Sequence, residues 1–318
     1  MMFRRCSTAA MAALLVAAWG APVAIDAQQA PAAPLVRIAT SASETYAQAF
    51  FAQDTGLYQK AGLNVEVDTL GTGAAVSSAV AGGGADIGVA TMLNLANAIA
   101  RGVPFVVIAP AALETAKQPS GLLCVAKASP YKTAKDFDGQ TIAVPALKQT
   151  VDLAMREWLT QGGEDPSRVH IIEAPFSEMG PAVERGTYAG AAISEPSLSQ
   201  AQHGGGVRCI GDPYSAIAPT YMLGAWFTTK DYAAKNPDLV RKVAAALTEA
   251  GKWANAHHFE SAAIVSKVNK VDVDTIRGEV RPRYAEEIKL NEIQPQLDAG
   301  FKFGFLTRQM NAAELLGR

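Results

Sequence analysis

Residues 79–90 read AVAGGGADIGVA, and the order of residue types in that stretch decides the architecture. Small apolar residues run into Gly82-Gly83-Gly84, where glycine suits the left-handed backbone that closes a helix. Asp86 then leads into Ile87-Gly88-Val89-Ala90, a short apolar run that reads as a buried strand. A second copy lies at 182–193, AVERGTYAGAAI, aligned without a gap so that Gly186 stands where Gly83 does. Both copies end a helix on glycine and feed a small-residue strand. A repeat of that kind predicts two lobes of the same build.

Working outward, short apolar runs alternate with helix-like stretches. The runs predict strands at 36–40, 65–70, 87–90, 105–109, 121–126, 141–144, 169–173, 191–193, 207–210 and 223–228. This alternation predicts an α/β protein with largely parallel sheets. Ser43, Thr150 and Ser177 mark helix starts, and Asn236-Pro237 combines a capping side chain with proline at the first helical position. Gly62, Gly162-Gly163 and Gly186 mark stops. Val240, Val243, Leu247, Ala250 and Trp253 keep a helical period, most simply a core stripe. After residue 230 the strand signals stop. The chain therefore divides into α/β sets at 35–127 and 130–215, a return strand and a helical tail.

Composition sets the outer limits. The 318 residues are 49% apolar and 18% charged, with a net charge of −2. That is ample material for a core and excludes general disorder. With no single-sign field, binding nucleic acid by phosphate neutralisation is excluded too.

The N-terminus predicts export. Arg4 and Arg5 precede an apolar run at 11–19, too short for an ordinary membrane span. We expect a signal peptide at 1–27 with cleavage after Ala27, cleavage after Gly20 being the competitor. Cys6 precedes the run, whereas a lipid-anchor cysteine would follow it. The arginine pair leaves open whether export is Sec-type or twin-arginine. AQQAPAAP at 27–34 reads as a tether, so that 28–34 link signal to fold. Cys124 and Cys209 then remain. Each lies in a short apolar run and reads as a buried small hydrophobe, with a disulfide as the alternative that export permits.

Catalytic and cofactor signatures are missing. The sequence has no phosphate-binding G-x-x-x-x-G-K-[ST], no H-E-x-x-H and no G-x-S-x-G. Gly82-Gly83-Gly84 precedes a strand, whereas a dinucleotide fingerprint follows one. His170, His203, His257 and His258 show no metal spacing. The expectation is a protein with no catalytic residues, metal or cofactor.

The loops after the strands offer binding chemistry instead. In open α/β sheets ligands sit beyond the carboxyl ends of strands, where helix N-termini present free N–H groups. The candidates there are Ser41, Ser43, Thr72, Gly73, Thr91, Met92, Lys148, Gln149, Thr150 and Glu195, with Tyr46 and Tyr221 near the same cleft. Small hydroxyl residues also cap helices, the bland account of each. Lys148 favours an anionic solute, and Glu195 favours an amine, amidine or hydroxyl donor.

These features resemble a known family. GGADIG at 83–88 with AIARGVP at 98–104 is its most telling part. FAQDTGLY at 51–58 with Ala61-Gly62-Leu63, KDFDGQ at 135–140, Glu195-Pro196 and NPDLV at 236–240 extend it. The chain is similar to the periplasmic solute-binding proteins of ATP-binding-cassette importers, in the branch for nitrate, sulfonates, taurine and thiamine-precursor pyrimidines. Ala189 departs from the pattern, because the family often has aspartate there.

The resemblance implies a type II periplasmic binding protein fold, two Rossmann-like lobes joined by a two-strand hinge near 121–127 and 223–228. Lobe I would comprise 35–127 and 217–318, and lobe II 128–216. It implies a periplasmic monomer that closes on a sulfonate, nitrate, taurine-like or related organic anion and delivers it to a membrane permease. A thiamine-precursor pyrimidine or other nitrogen heterocycle is the alternative solute. An enzyme of the related pyrimidine-synthesising branch is the alternative activity.

Overall fold

The computed structural model describes residues 34–195 and 197–317. The expected signal peptide at 1–27, and all of the tether except Pro34, lie outside the described residues, as does Pro196. In chain order the strands are β1 (Leu35–Thr40), β2 (Asn64–Thr69), β3 (Ile87–Thr91), β4 (Phe105–Pro110), β5 (Ala112–Thr115), β6 (Gly121–Ala126) and β7 (Thr141–Val144). There follow β8 (His170–Glu173), β9 (Gly190–Ser194), β10 (Val207–Gly211), β11 (Thr220–Met222), β12 (Gly224–Thr229) and β13 (Arg283–Tyr284).

Two five-stranded sheets result, ordered β2-β1-β3-β12-β4 and β10-β6-β9-β7-β8, with a three-stranded sheet β11-β5-β13. The repeat puts its strands at corresponding places, β3 between β1 and β12 and β9 between β6 and β7. Gly83 and Gly186 both take the left-handed backbone, each with φ +74°. Gly88 is needed for a second reason. A Cβ there would sit 2.7 Å from Val76 and 2.8 Å from Val80, so its absence lets the helix Gly73–Ala81 lie close on β3. Asp86 ties neighbouring strands. It accepts from the Arg37 backbone N–H at 2.8 Å and pairs with the Arg37 guanidinium at 2.8 Å, while its carbonyl accepts from the Thr228 hydroxyl at 2.6 Å.

The sheets are mixed where parallel strands were expected. β1 pairs in parallel with β2 and β3, but β12 runs antiparallel to β3 and β4. Likewise β7 is parallel to β8 and β9, but β6 is antiparallel to β9 and β10. A strand that enters or returns from the other half need not follow a helical crossover, and so is free to run backwards. β5, β11 and β13 were not expected at all. With four, three and two residues they are too short to show a period, and β13 interrupts the tail read as wholly helical.

The expected crossover strands also lie elsewhere. Gly121–Ala126 is an interior strand of the second sheet, not a member of the first half, and residues 224–229 are an interior strand of the first. The chain passes between the sheets at 116–120 and 212–219. β5 and β11 pair antiparallel beside these passages, and the Ala116 N–H donates to the Pro219 carbonyl at 2.9 Å.

Two helix starts differ from the sequence reading. Asn236 precedes Pro237 as expected, but its side chain donates back to the Tyr232 carbonyl at 3.2 Å and does not cap the helix Pro237–Ala256. Ser43 precedes a single 3-10 turn without a side-chain cap.

In the core of the first half, Gln48 is fully buried and saturated. Its amide donates to the carbonyls of Pro110 and Leu247 at 3.1 Å each and accepts from the Trp226 indole at 2.8 Å. Cys124 and Cys209 form a disulfide, against the preferred reading as two free thiols. They stand directly opposite on β6 and β10, where antiparallel pairing brings the side chains onto one face. The bridge therefore clamps two strands of one sheet, not the region between the lobes. Among the described residues no helix is long and apolar enough to cross a membrane.

Candidate functional site

Between the two large sheets lies a cavity of about 350 Å³. Its wall takes Ser43, Glu44 and Thr45 from the turn after β1, and Leu113 and Glu114 from β5. The second sheet supplies Ser194 and Glu195 at the end of β9, and Phe176 at the helix start after β8. Ser120 and Tyr214 come from the passages between the sheets. Ile276 and the segment Glu279–Pro282 close it from the C-terminal part. The carboxyl ends of β1 and β9 thus meet here, where side chains of both sheets reach one ligand.

The wall is acidic. Glu44, Glu114, Glu195 and Glu279 line it, and Arg281 is the single cation among the described lining residues. The Arg281 guanidinium is already engaged. It pairs with Glu44 and donates to the His258 carbonyl at 2.9 Å and the Ser261 hydroxyl at 3.3 Å. Burial pushes the Glu44 carboxyl up to about 7 against the pull of Arg281. Beyond Arg281 a second cavity of about 450 Å³ is lined by Asn255, His258 and Ser261.

Glu114 has no cationic partner among the described residues. It is 2% exposed and accepts from the Ser120 N–H at 3.0 Å and the Ser120 hydroxyl at 2.6 Å. Burial pushes this carboxyl up to about 7, with Ser120 opposing and Asp212 adding. Tyr221 stands opposite Glu114 in the β11–β5 pairing. Tyr221 is wholly buried in the core of the second half and does not itself line the cavity. The Tyr221 hydroxyl is buried without a hydrogen-bond partner among the described residues. Tyr214 closes the set, its hydroxyl 3.4 Å from that of Ser194. Glu195 accepts from the Ser199 N–H and hydroxyl at 3.0 Å each. The Glu279 carboxyl is raised by burial and next by Glu195, with Arg281 opposing, and its Oε1 is buried without a partner among the described residues.

Of the residues expected at the site, Ser43 and Glu195 line the cavity and Tyr221 stands behind Glu114. The others lie outside the lining. Ser41 accepts the Ser43 N–H at 2.8 Å on its carbonyl, and Tyr46 is buried against Gly224. Thr72 and Thr91 cap helices, accepting from Ala75 and Asn94. Gly73 opens the first of those helices, and Met92 is wholly buried in the core. Lys148 places its ammonium 4.6 Å from the centre of the Phe305 ring. Gln149 precedes the helix Thr150–Gln161, and the buried Thr150 hydroxyl has no partner among the described residues. Glu44, Glu114, Ser120, Tyr214, Glu279 and Arg281 were not singled out. One signal was available: Glu114 is the lone charge in the run APAALET at 109–115.

The model of the NMT1/THI5-like family matches residues 43–261, more than half of the chain. The chain belongs to the NMT1/THI5-like family. A taurine-binding periplasmic protein of Escherichia coli (strain K12) is 28% identical over 201 residues. That match covers 62% of this chain and 59% of the relative's length. Among solved structures, the periplasmic aliphatic sulphonate binding protein SsuA from Escherichia coli superposes with a TM-score of 0.73 at 19% identity, covering 88% of this chain and 91% of that one. The periplasmic nitrate-binding protein NrtA from Synechocystis PCC 6803 gives 0.71 at 18% identity, over 91% and 86% of the two chains. This family member therefore has the α/β type II periplasmic binding protein fold, with two mixed sheets. These relatives are named as taurine-, aliphatic sulphonate- and nitrate-binding periplasmic proteins.

Proposed function

We propose that the protein is the solute-binding component of an ATP-binding-cassette importer. It holds a small polar solute in the cavity between the sheets and presents the closed form to a membrane permease. The observation that carries this reading is the shared wall. Residues at the ends of β1 and β9 face one cavity, so a solute there gains contacts from both halves only when they are together. The passages at 116–120 and 212–219, braced by β5 and β11, are the hinge in this reading. The division into a first lobe holding the termini and a second holding the middle of the chain follows. The N-terminal export signal makes the site of action the periplasm, and a monomer suffices for the task.

Relatives named for taurine, aliphatic sulphonates and nitrate support a solute of that size and polarity. The alternative, a nitrogen heterocycle such as a thiamine-precursor pyrimidine, draws support from the carboxylates of the wall. Synthesis of such a pyrimidine has less support, because Cys124 and Cys209 are bonded to each other and the wall contains no histidine among its described residues. Thermal denaturation and small-angle scattering with a solute panel test the reading. A binding solute raises the melting temperature and lowers the radius of gyration. Stabilisation with turnover of the solute would contradict it.

A further inference from the structure

Taking the cavity as the solute site, we propose that it selects a solute carrying a cationic amine or amidinium group, in preference to an organic anion. The group is held between Glu114 on one side and Glu195 and Glu279 on the other.

The charge balance of the wall comes first. Four carboxylates face the cavity against one guanidinium. That guanidinium is 6% exposed and already pairs with Glu44. An entering sulfonate or nitrate would find no uncommitted cation among the described lining residues. It would instead meet Glu114 and Glu195, neither paired with Arg or Lys among the described residues, and Glu279, which shares Arg281 with Glu44. The helix Phe176–Glu184 turns its N-terminus toward the cavity, but Glu178 in its first turn already answers that dipole. Lys148 stacks on Phe305 outside the wall.

One unpartnered oxygen in the wall points to the ligand independently of the charge count. The Glu279 Oε1 is buried without a donor among the described residues, with Glu195 of the second sheet near enough to raise its proton affinity and Arg281 opposing. An ammonium or amidinium supplies several N–H donors in a small volume. It would donate to this oxygen, offset the repulsion between Glu195 and Glu279, and so favour closure as well as binding.

Protons give the solute charge a direct signature. The groups facing Glu114 are Ser120, Asp212, Tyr214 and Tyr221, and those facing Glu44 and Glu279 are Arg281 and Glu195, with His258 in the cavity beyond. The Glu44 and Glu114 carboxyls, each raised to about 7, hold protons in part near neutral pH. A bound cation expels those protons, and a bound anion draws more in.

The test is titration calorimetry at pH 7 in two buffers of different ionisation enthalpy, alongside thermal denaturation. Agmatine, putrescine and benzamidine serve as cations, isethionate and nitrate as anions, and taurine as the carrier of both charges. At least one cation should stabilise the protein and release protons on binding. Glu114→Gln should weaken it by about ten-fold or more, and Glu279→Gln, at a more accessible position, should weaken it in the same sense. Tighter binding of isethionate or nitrate than of every cation, with proton uptake, overturns the inference and leaves the solute-binding reading standing. Failure of every probe to stabilise the protein overturns both.

Discussion

The guanidinium of Arg281 is bonded to the carboxylate of Glu44, joining the segment before β13 to the turn after β1. This pair stands in the wall of the cavity and removes Arg281 from the donors open to a solute. It is also nearly dry, with side-chain exposures of 6% and 14%. Breaking one side of a buried pair leaves the other charge uncompensated. Arg281→Ala should therefore cost about 3 kcal/mol of unfolding free energy in urea denaturation. An unchanged midpoint would show that water reaches the pair freely.

Glu114 makes stability depend on pH in a stated direction. Its carboxyl is raised from an ordinary 4.5 to about 7, chiefly by burial. Between those values the folded protein holds a proton that the unfolded chain has released. Stability from this group is full below 4.5 and falls as pH rises towards 7. Comparing wild type with Glu114→Gln isolates it. The variant should gain about 1–3 kcal/mol on wild type between pH 5 and pH 8 in the solute-free protein. A constant difference across that range would contradict the burial of an uncompensated carboxyl.

Gln48 is the polar keystone of the first core. Gln48→Leu keeps the volume but takes the acceptor from the buried Trp226 indole N–H and one donor each from the Pro110 and Leu247 carbonyls. The expected loss is about 2 kcal/mol in chemical denaturation, since the buried indole N–H loses its only acceptor among the described residues and two carbonyls lose a donor. A loss below about 1 kcal/mol would mean that water replaces the amide.

The disulfide predicts that Cys124 and Cys209 resist thiol reagents in the folded, oxidised protein. Replacing both by serine should lower stability by about 2–4 kcal/mol while leaving the fold recognisable by circular dichroism. Labelling of both cysteines in the oxidised protein would contradict the bridge.

Lys148→Ala should leave affinity for any cavity solute within about two-fold, as expected for a partly solvated side chain engaged elsewhere. Its ammonium lies over Phe305, and its backbone N–H donates to Asp152 at 2.9 Å. A ten-fold loss in calorimetry would return Lys148 to the site.

The legible part of this protein was the part that repeats. Gly83 and Gly186, Asp86, and the runs that became β3 and β9 are local signals, because a left-handed stop and a buried strand each follow from a few neighbouring residues. The binding wall was less legible for a physical reason. Glu114, Tyr221 and Arg281 meet through the three short strands β5, β11 and β13. Such strands carry no period, and their pairing spans much of the chain. Ranking hydroxyls after strands found Ser43 but also Thr72 and Thr91, whose oxygens cap helices. A cap and a ligand-binding hydroxyl look alike in sequence, and only the fold separates them.

The most direct test is the crystal structure of the protein purified from its native host with its own solute retained. The account predicts solute density inside the cavity, touching Glu114 or Glu44 from one half and Ser194 or Glu195 from the other. A solute bound elsewhere, or held by residues of one sheet alone, would contradict it.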